Sequence, residues 1–524
     1  MCYIRTPQTD MGLFDRLFAR GRSERVAVLF ERRQITYAEL RNTTLRTGGS
    51  LKALGVAPGD RVALLLADSP EFIASFVAII SLGAIAAPIN LALRSDEQLF
   101  ILRDCGARVA IVEGSTARKL FDDLAALADL KTLIIVSREG DQPVRELDAL
   151  TIRDFATAQD APLTEAPPED SSSDLNRDAF ILYTSGSTGE PKGAVHTQAD
   201  IFYTNETYGR EVLKLREDDR VFSSSRLPFA YGLGNAFTFP LLNGFTSILC
   251  REKPSPQVVS RIFSEYRPTV FFGVPVVYRL LLEHHRASAL DTSSLRLCVS
   301  AGEALPEHLG REWEDTLGVQ LLDGIGSTEM LHMFMSNHDG DVRYGSSGKL
   351  LQGYEARLVD HEGVATPIGE TGNLWIRGGS AASRYWHRPE TSAQTFVDGW
   401  VRTGDLYRCD PDGFWWHMGR SDDCFKASGQ WVSPVEVEGV LIRGESILTA
   451  AVVEGRDADR LSCVCAFVVA AEGCDHKRAE EDARAICADA LPRFKQPRRY
   501  IFVDELPYTA TGKVQRFKLR ERLK

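Results

Sequence analysis

Three short apolar runs near the start of the chain set the tightest limit on its fold. RVALLLAD (61–68), ARVAIVEG (107–114) and KTLIIVSR (131–138) have the length and composition of strands, with helix-like segments between them. That alternation predicts an α/β fold in which parallel sheets are covered by helices. The stretch from Phe72 to Leu91 comes nearest to a membrane span, but Gly83, Pro88 and Asn90 interrupt it. A buried helix running into a buried strand accounts for it better. No internal repeat period is evident.

A chain of 524 residues is too long for one hydrophobic core, so at least two domains are expected. Around residues 360–420 the texture changes to short strands and Gly-rich turns, as in GNLWIRGGS, DGWVRTGDLY and DGFWWHMGRSDD. A compact α/β piece follows, with strands near AAVVEG and CVCAFVVA, and a final turn, LPYTATGKVQRFKLR, closes the chain. The boundary is expected near Gly419–Asp423. Residues 1–419 then form a large domain of parallel or mixed sheets under helices, with a barrel-like β subdomain. Residues 420–524 form a small α+β domain. The polar run APLTEAPPEDSSSDLN (161–176) reads as a surface loop leading into the strand AFILY (179–183).

The formal net charge of -11 argues against a nucleic-acid binder, which would carry a basic face. It leaves phosphate binding open, because local clusters handle phosphates whatever the total charge. The N-terminus, MCYIRTPQTDMGLFDRLFARGR, lacks the apolar centre of a signal peptide. Cys2, Cys105, Cys250, Cys298, Cys409, Cys424, Cys463, Cys465, Cys474 and Cys487 are scattered, with no CxxC pair. They read as buried free thiols of a reducing cytoplasm, not as a disulfide framework or a zinc site.

The strongest local signal is YTSGSTGEPKG, Tyr183 to Gly193, directly after an apolar strand. Gly186, Gly189 and their small neighbours let a loop fold tightly around phosphates. Backbone amides and the hydroxyls of Thr184, Ser185, Ser187 and Thr188 supply donors, and Lys192 supplies charge. The spacing is not the GxxxxGK[ST] of P-loop nucleotide hydrolases.

This loop resembles the signature of the acyl-CoA synthetase, luciferase and peptide-synthetase adenylation superfamily. The resemblance runs from about Val26 to the C-terminus, with GIGSTEM (324–330), WVRTGDLY (400–407), GRSDDCFKASG (419–429) and PYTATGKVQR (507–516) in family order. It implies a two-step ligase with ATP, Mg²⁺ and coenzyme A, small-molecule substrates, no nucleic acid and no membrane, and leaves a homodimer open. In GSTE, Thr328 is placed to hydrogen-bond the α-phosphate, and Glu329 offers a hard oxygen ligand to Mg²⁺. STE alone is also a common helix-start pattern. Asp323, Gly324 and the AGEA turn, with Gly302, Glu303 and Ala304, resemble the adenine-side elements. Ile325 stands where the family usually has an aromatic residue. Asp405 resembles the carboxylate that accepts the ribose hydroxyls, and Arg420 resembles its basic companion. Asp422 matches the hinge about which the small domain rotates. Lys513 matches the lysine that stabilises charge during adenylation. Lys426, Ser428, Gly429 and Trp431 then belong to the face that meets the thiol.

Phe229, Ala230, Tyr231, Val274, Ile325, Gly326, Leu331 and His332 read as a short, aromatic-lined pocket that suits a flat ring. FAYGLGN, SAGEALP and LDGIGSTEMLH resemble benzoate-CoA ligases and their relatives for hydroxy- or aminobenzoates. SRLPFAYG departs from that pattern at Arg226–Pro228, which keeps a substituted ring such as 2-aminobenzoate beside benzoate. His332 reads either as a partner for a ring substituent or as a core histidine. Two alternatives stand beside the CoA ligase: an adenylation enzyme that loads a carrier protein, and a catalytically silent nucleotide binder.

Overall fold

The apolar runs of the first half do become strands, and each one hydrogen-bonds beside the next in parallel. The computed structural model describes residues 11–19, 23–139, 141–142, 144, 150–158, 174–185, 190–360, 362–427, 430–457, 461–471, 473–508 and 514–523. Its first sheet has eight strands. In spatial order they are Arg384–Tyr385, Pro191–Thr197, Asp178–Ser185, Ile85–Pro88, Arg61–Leu65, Val109–Glu113, Thr132–Val136 and Thr151–Asp154. The last six are parallel, and Pro191–Thr197 turns back antiparallel as a hairpin partner. The central strands are buried on both faces, as a sheet covered by helices requires.

A second sheet of nine strands carries Leu321–Gly326, Leu297–Ser300, Val270–Gly273, Arg220–Ser223, Thr246–Leu249 and Val26–Phe30 in parallel, with antiparallel strands at both edges. Helix Pro70–Ser81 and the helical run from Ala230 to Asn243 share one core with strands of both sheets. Every residue of Pro70–Ser81 except Glu71 is buried, so this helix is apolar all round because it has no water-facing side. Phe76 fixes the layer, with ring centroids 5.4 Å from both Phe180 and Phe237. Strand Ile85–Pro88 follows the helix directly. The stretch 72–91 is therefore a buried helix and a buried strand. Among the described residues no helix is long and apolar enough to cross a membrane.

The Gly-rich texture after residue 350 corresponds to a third, antiparallel sheet: Glu355–Val359, Thr371–Arg377, Trp400–Cys409, Phe396–Val397 and Trp415–Arg420. The C-terminal part has its own core around Ile447–Arg456, Ser462–Ala470 and Arg499–Phe502, packed by helices Pro434–Leu441 and His476–Ala490. Two sequence readings change here. The closing segment, expected as a turn, forms a helix over Arg516–Glu521, whose Leu519 is fully buried in a second C-terminal cluster. PKG, expected in the loop, begins a strand. The nine described cysteines are all free, and Cys105, Cys298, Cys463, Cys465 and Cys487 are buried. Most of the polar run 161–176 lies outside the described residues.

Candidate active site

Strands Leu297–Ser300 and Leu321–Gly326 run side by side, with Ser300 opposite Asp323, and both open into turns at their carboxyl ends. In open α/β sheets that end is where ligands bind. Gly302, Glu303 and Ala304 follow the first strand; Gly324, Ile325 and Gly326 end the second. Asp323 is 2% exposed and takes the Leu305 amide at 3.4 Å; burial pushes its carboxyl well above the usual range. Val274, at the end of the neighbouring strand, reaches within 3.6 Å of where a side chain at Gly302 would begin.

The STEM turn is tied down at three consecutive peptide planes. Ser327 caps it by accepting the Met330 amide at 3.2 Å, so the helix-start reading and the catalytic one describe the same turn. His196 Nε2 meets the Thr328 carbonyl at 2.8 Å. The Ala382 amide donates to the Glu329 carbonyl at 2.7 Å, and Ser380 Oγ to that of Met330 at 2.8 Å. Tyr385 donates its hydroxyl to Glu329 Oε1 at 2.7 Å. The turn ends on Leu331 at φ 63, ψ -39, with the His332 amide 2.7 Å from the Met330 carbonyl. That is a γ-turn with positive φ on a buried, bulky residue. Such turns are rare and strained, and strain of this kind collects at functional sites.

The hairpin holds the remaining polar residues. Tyr183, Thr184 and Ser185 end one strand and Lys192 lies opposite Thr184 on the next. The connection, Gly186, Ser187, Thr188 and Gly189, lies outside the described residues. Tyr183 anchors the hairpin by donating to Asp104 Oδ2 at 2.7 Å, where Arg388 also ion-pairs at 3.2 Å. Lys192 Nζ lies 5.8 Å from the Tyr385 ring, which brings it to the same side as Glu329.

Asp405 and Arg420 face each other across two antiparallel strands, Nη1 donating to Oδ1 at 3.2 Å. His417 Nε2 is 3.8 Å from the same oxygen. Beyond Arg420 the chain turns through Ser421, Asp422 and Asp423. The Ser421 amide donates to Gly404 at 2.9 Å, whereas Asp423 ion-pairs with Arg516 at 3.4 Å and Arg520 at 2.6 Å. Asp422, exposed, stands between a tie to the large part and a tie to the C-terminal part. Arg516 also lies within electrostatic range of Glu303 in the 302–304 turn. Exposed Lys426 sits on strand Phe425–Ala427, opposite the backbone of Trp431. Ser428, Gly429, Lys513 and the Trp431 side chain lie outside the described residues.

Phe229 caps the helical run that begins at Ala230, Tyr231. The Tyr231 hydroxyl lies 3.2 Å from the Val299 carbonyl, and its ring centroid 5.7 Å from that of His332. His332 is 2% exposed among Tyr208, Tyr231 and Phe239, and its Nε2 pairs with Asn235 Oδ1 at 3.1 Å. Among the described residues neither Nδ1 of His332 nor Nδ2 of Asn235 has a well-aligned hydrogen-bond partner. Gly234 makes room for the ring: a Cβ there would sit 2.5 Å from His332 Cδ2. Burial pushes the imidazole from 6.5 down to about 3, so it is neutral at ordinary pH. In the unfolded chain it gains a proton near pH 6.5. The folded state therefore keeps its stability above that pH and loses it as pH falls toward about 3. His332→Gln is expected to flatten this limb of a plot of Tm against pH; identical slopes would contradict the assignment.

His196, Tyr385 and the Leu331 turn were not singled out from sequence. The T-x-x-D of Thr197 and Asp200, a helix-capping pattern, was the one local signal near the first.

The hairpin and the strained Thr-Glu turn are therefore joined through Lys192, Tyr385 and His196, and the aromatic cluster around His332 follows the turn directly. Residues 16–386 match the family model for AMP-binding enzymes, and residues 436–513 match the C-terminal domain of AMP-binding enzymes. The chain belongs to the AMP-binding enzyme family. This AMP-binding enzyme is 41% identical to the benzoate–CoA ligase of Thauera aromatica, over 97% of the chain and 94% of that protein. It superposes on a crystal structure of the anthranilate CoA ligase AuaEII in complex with anthranoyl-AMP with a TM-score of 0.91, at 38% identity and 98% coverage of both chains. A benzoate CoA ligase from Burkholderia xenovorans LB400 gives a TM-score of 0.86 at 37% identity, covering 97% of this chain and 99% of that one.

Proposed function

We propose that this chain is an ATP-dependent aryl-CoA ligase. It activates a benzoate-type acid, benzoate itself or 2-aminobenzoate, to the aryl-adenylate and then forms the aryl-CoA thioester. The observation that carries the reading is the full-length likeness to benzoate- and anthranilate-CoA ligases. In the first step a carboxylate oxygen bonds to the α-phosphorus of ATP and pyrophosphate leaves. In the second the CoA sulfur bonds to the acyl carbon, AMP leaves and the thiol proton goes to solvent.

Each candidate residue has a part in this scheme. Residues 184–189 and Lys192 cradle the phosphates, Thr328 donates to the α-phosphate, and Asp405 accepts the ribose hydroxyls beside Arg420. The 302–304 turn and Asp323–Ile325 border adenine; Phe229, Ala230, Tyr231, Val274, Gly326, Leu331 and His332 border the ring. Among the described residues no three His, Cys, Asp or Glu side chains cluster as a metal site. A Mg²⁺ at Glu329 fits as one carboxylate ligand plus phosphate oxygens and water, the pattern this ion favours, and it would offset phosphate charge there. Residues 1–419 work as the adenylation domain and 420–524 as a lid that pivots near Asp422, presenting Lys513 in one step and the face around Lys426–Trp431 in the other. The free thiols fit a reducing cytoplasm.

CoA-dependent release of AMP across a panel of benzoates tests the reading. Benzoate or 2-aminobenzoate should lead; turnover confined to long alkyl acids, or to a carrier-protein acceptor, would overturn it. Ala230, 8% exposed, borders the ring at the helix start. Ala230→Leu overpacks that space, which costs about 1–3 kcal/mol, roughly ten- to a hundredfold. The expected loss in kcat/KM is greater for ortho- or para-substituted rings than for smaller acids. Unchanged kcat/KM for every aryl acid would move the pocket elsewhere.

A further inference from the structure

His196 is fully buried on strand Pro191–Thr197, and both of its ring nitrogens face hydrogen-bond acceptors. Nδ1 lies 2.8 Å from Asp200 Oδ2, and Nε2 lies 2.8 Å from the backbone carbonyl of Thr328. A carbonyl oxygen only accepts, so Nε2 must carry a proton. Asp200 is itself 5% exposed and already accepts two other donors, the Thr197 amide at 3.1 Å and the Thr197 hydroxyl at 2.7 Å. One proton therefore joins Nδ1 to Asp200, and the two further donors hold that carboxyl group in place. A ring with a bare Nε2 would press a lone pair against the Thr328 carbonyl oxygen at 2.8 Å.

We infer that His196 is a positioning residue that donates from Nε2, held by Asp200 on one side and holding the Thr328–Glu329 peptide plane on the other. Phe180 fixes the plane of the imidazole, its ring stacked on it at 5.3 Å and 19°. The peptide plane gripped by Nε2 links the two side chains assigned to the α-phosphate and to Mg²⁺. Thr328 and His196 are 132 residues apart in sequence, so this grip ties the phosphate hairpin to the catalytic turn across two sheets. The pair is buried and mutually satisfied; removing one member would leave the other uncompensated.

The catalytic consequence rests on the aryl-CoA ligase reading, whereas the proton placement does not. Nitrogen-15 NMR of the full chain labelled at histidine reads the placement directly, with His196 assigned by its contact to the Phe180 ring. A directly bonded proton on Nε2 is expected; a bare Nε2 would overturn the inference. CoA-independent ATP–pyrophosphate exchange reads the consequence. His196→Phe keeps an aromatic ring and its stack but deletes both ring nitrogens. It should lower kcat by about tenfold or more while leaving KM for the aryl acid within about twofold. His196→Gln, whose amide can still donate to the Thr328 carbonyl, should regain part of the loss. A folded His196→Phe enzyme that exchanges at the wild-type rate would overturn the positioning role. If neither variant folds, the wild-type spectrum decides. If the wild type activates no aryl acid, the functional reading fails and the spectrum still decides the placement.

Discussion

Lys513→Ala slows formation of the aryl-adenylate by at least about 10²–10³-fold, the expected loss for one preorganised donor aimed at charge that develops in the transition state. Transfer of a supplied aryl-adenylate to CoA is expected to stay near the wild-type rate, because the proposed lid presents this lysine only in the first step. The placement of Arg516 supports this expectation. It lies three residues beyond Lys513 and within electrostatic range of Glu303, in the turn proposed to border adenine. Rapid-quench measurement of both half-reactions separates the outcomes. If the two steps slow equally, Lys513 serves binding or structure common to both.

Asp422→Pro has the opposite signature. Ser421 is held by Gly404 on the large part, and Asp423 by Arg516 and Arg520 on the C-terminal part. The proposed rotation between the two parts would then be absorbed at or beside Asp422. No acceptor among the described residues takes its backbone amide, so proline removes no hydrogen bond there. Proline fixes φ at 422 and restricts ψ at Ser421, so it acts on the pivot more than on the resting contacts. Adenylation should survive while thioester formation falls at least about tenfold, a barrier increase of ~1.4 kcal/mol or more. Equal rates for wild type and variant in the second step would place the pivot elsewhere.

What the sequence could show is what lies close along the chain. The strand-length apolar runs gave the parallel order around Arg61–Leu65, since periodicity is a local property. The motifs marked Thr328, Glu329, Asp405 and Arg420 for the same reason. The supports of these residues come from far along the chain: Tyr385 is 56 residues from Glu329, and His196 is 132 from Thr328. Neither tyrosine nor histidine carries a spacing that announces such a contact. The strain at Leu331 was equally hidden, because leucine has no preference for positive φ and only the closure of the turn imposes it. His332 was readable as two things, and the structure gives both a partner, Asn235, and, among the described residues, an Nδ1 without a well-aligned one. The closing helix at Arg516–Glu521 was missed because a six-residue helix is made by packing Leu519, not by propensity.

The central claim is that activation of an aryl acid is complete before CoA is engaged. Incubating the enzyme with MgATP and benzoate or 2-aminobenzoate, without CoA, measures it directly. Pyrophosphate should appear with an equivalent of enzyme-bound aryl-AMP, which CoA then converts to aryl-CoA and AMP. Pyrophosphate that appears only after CoA is added would contradict the account.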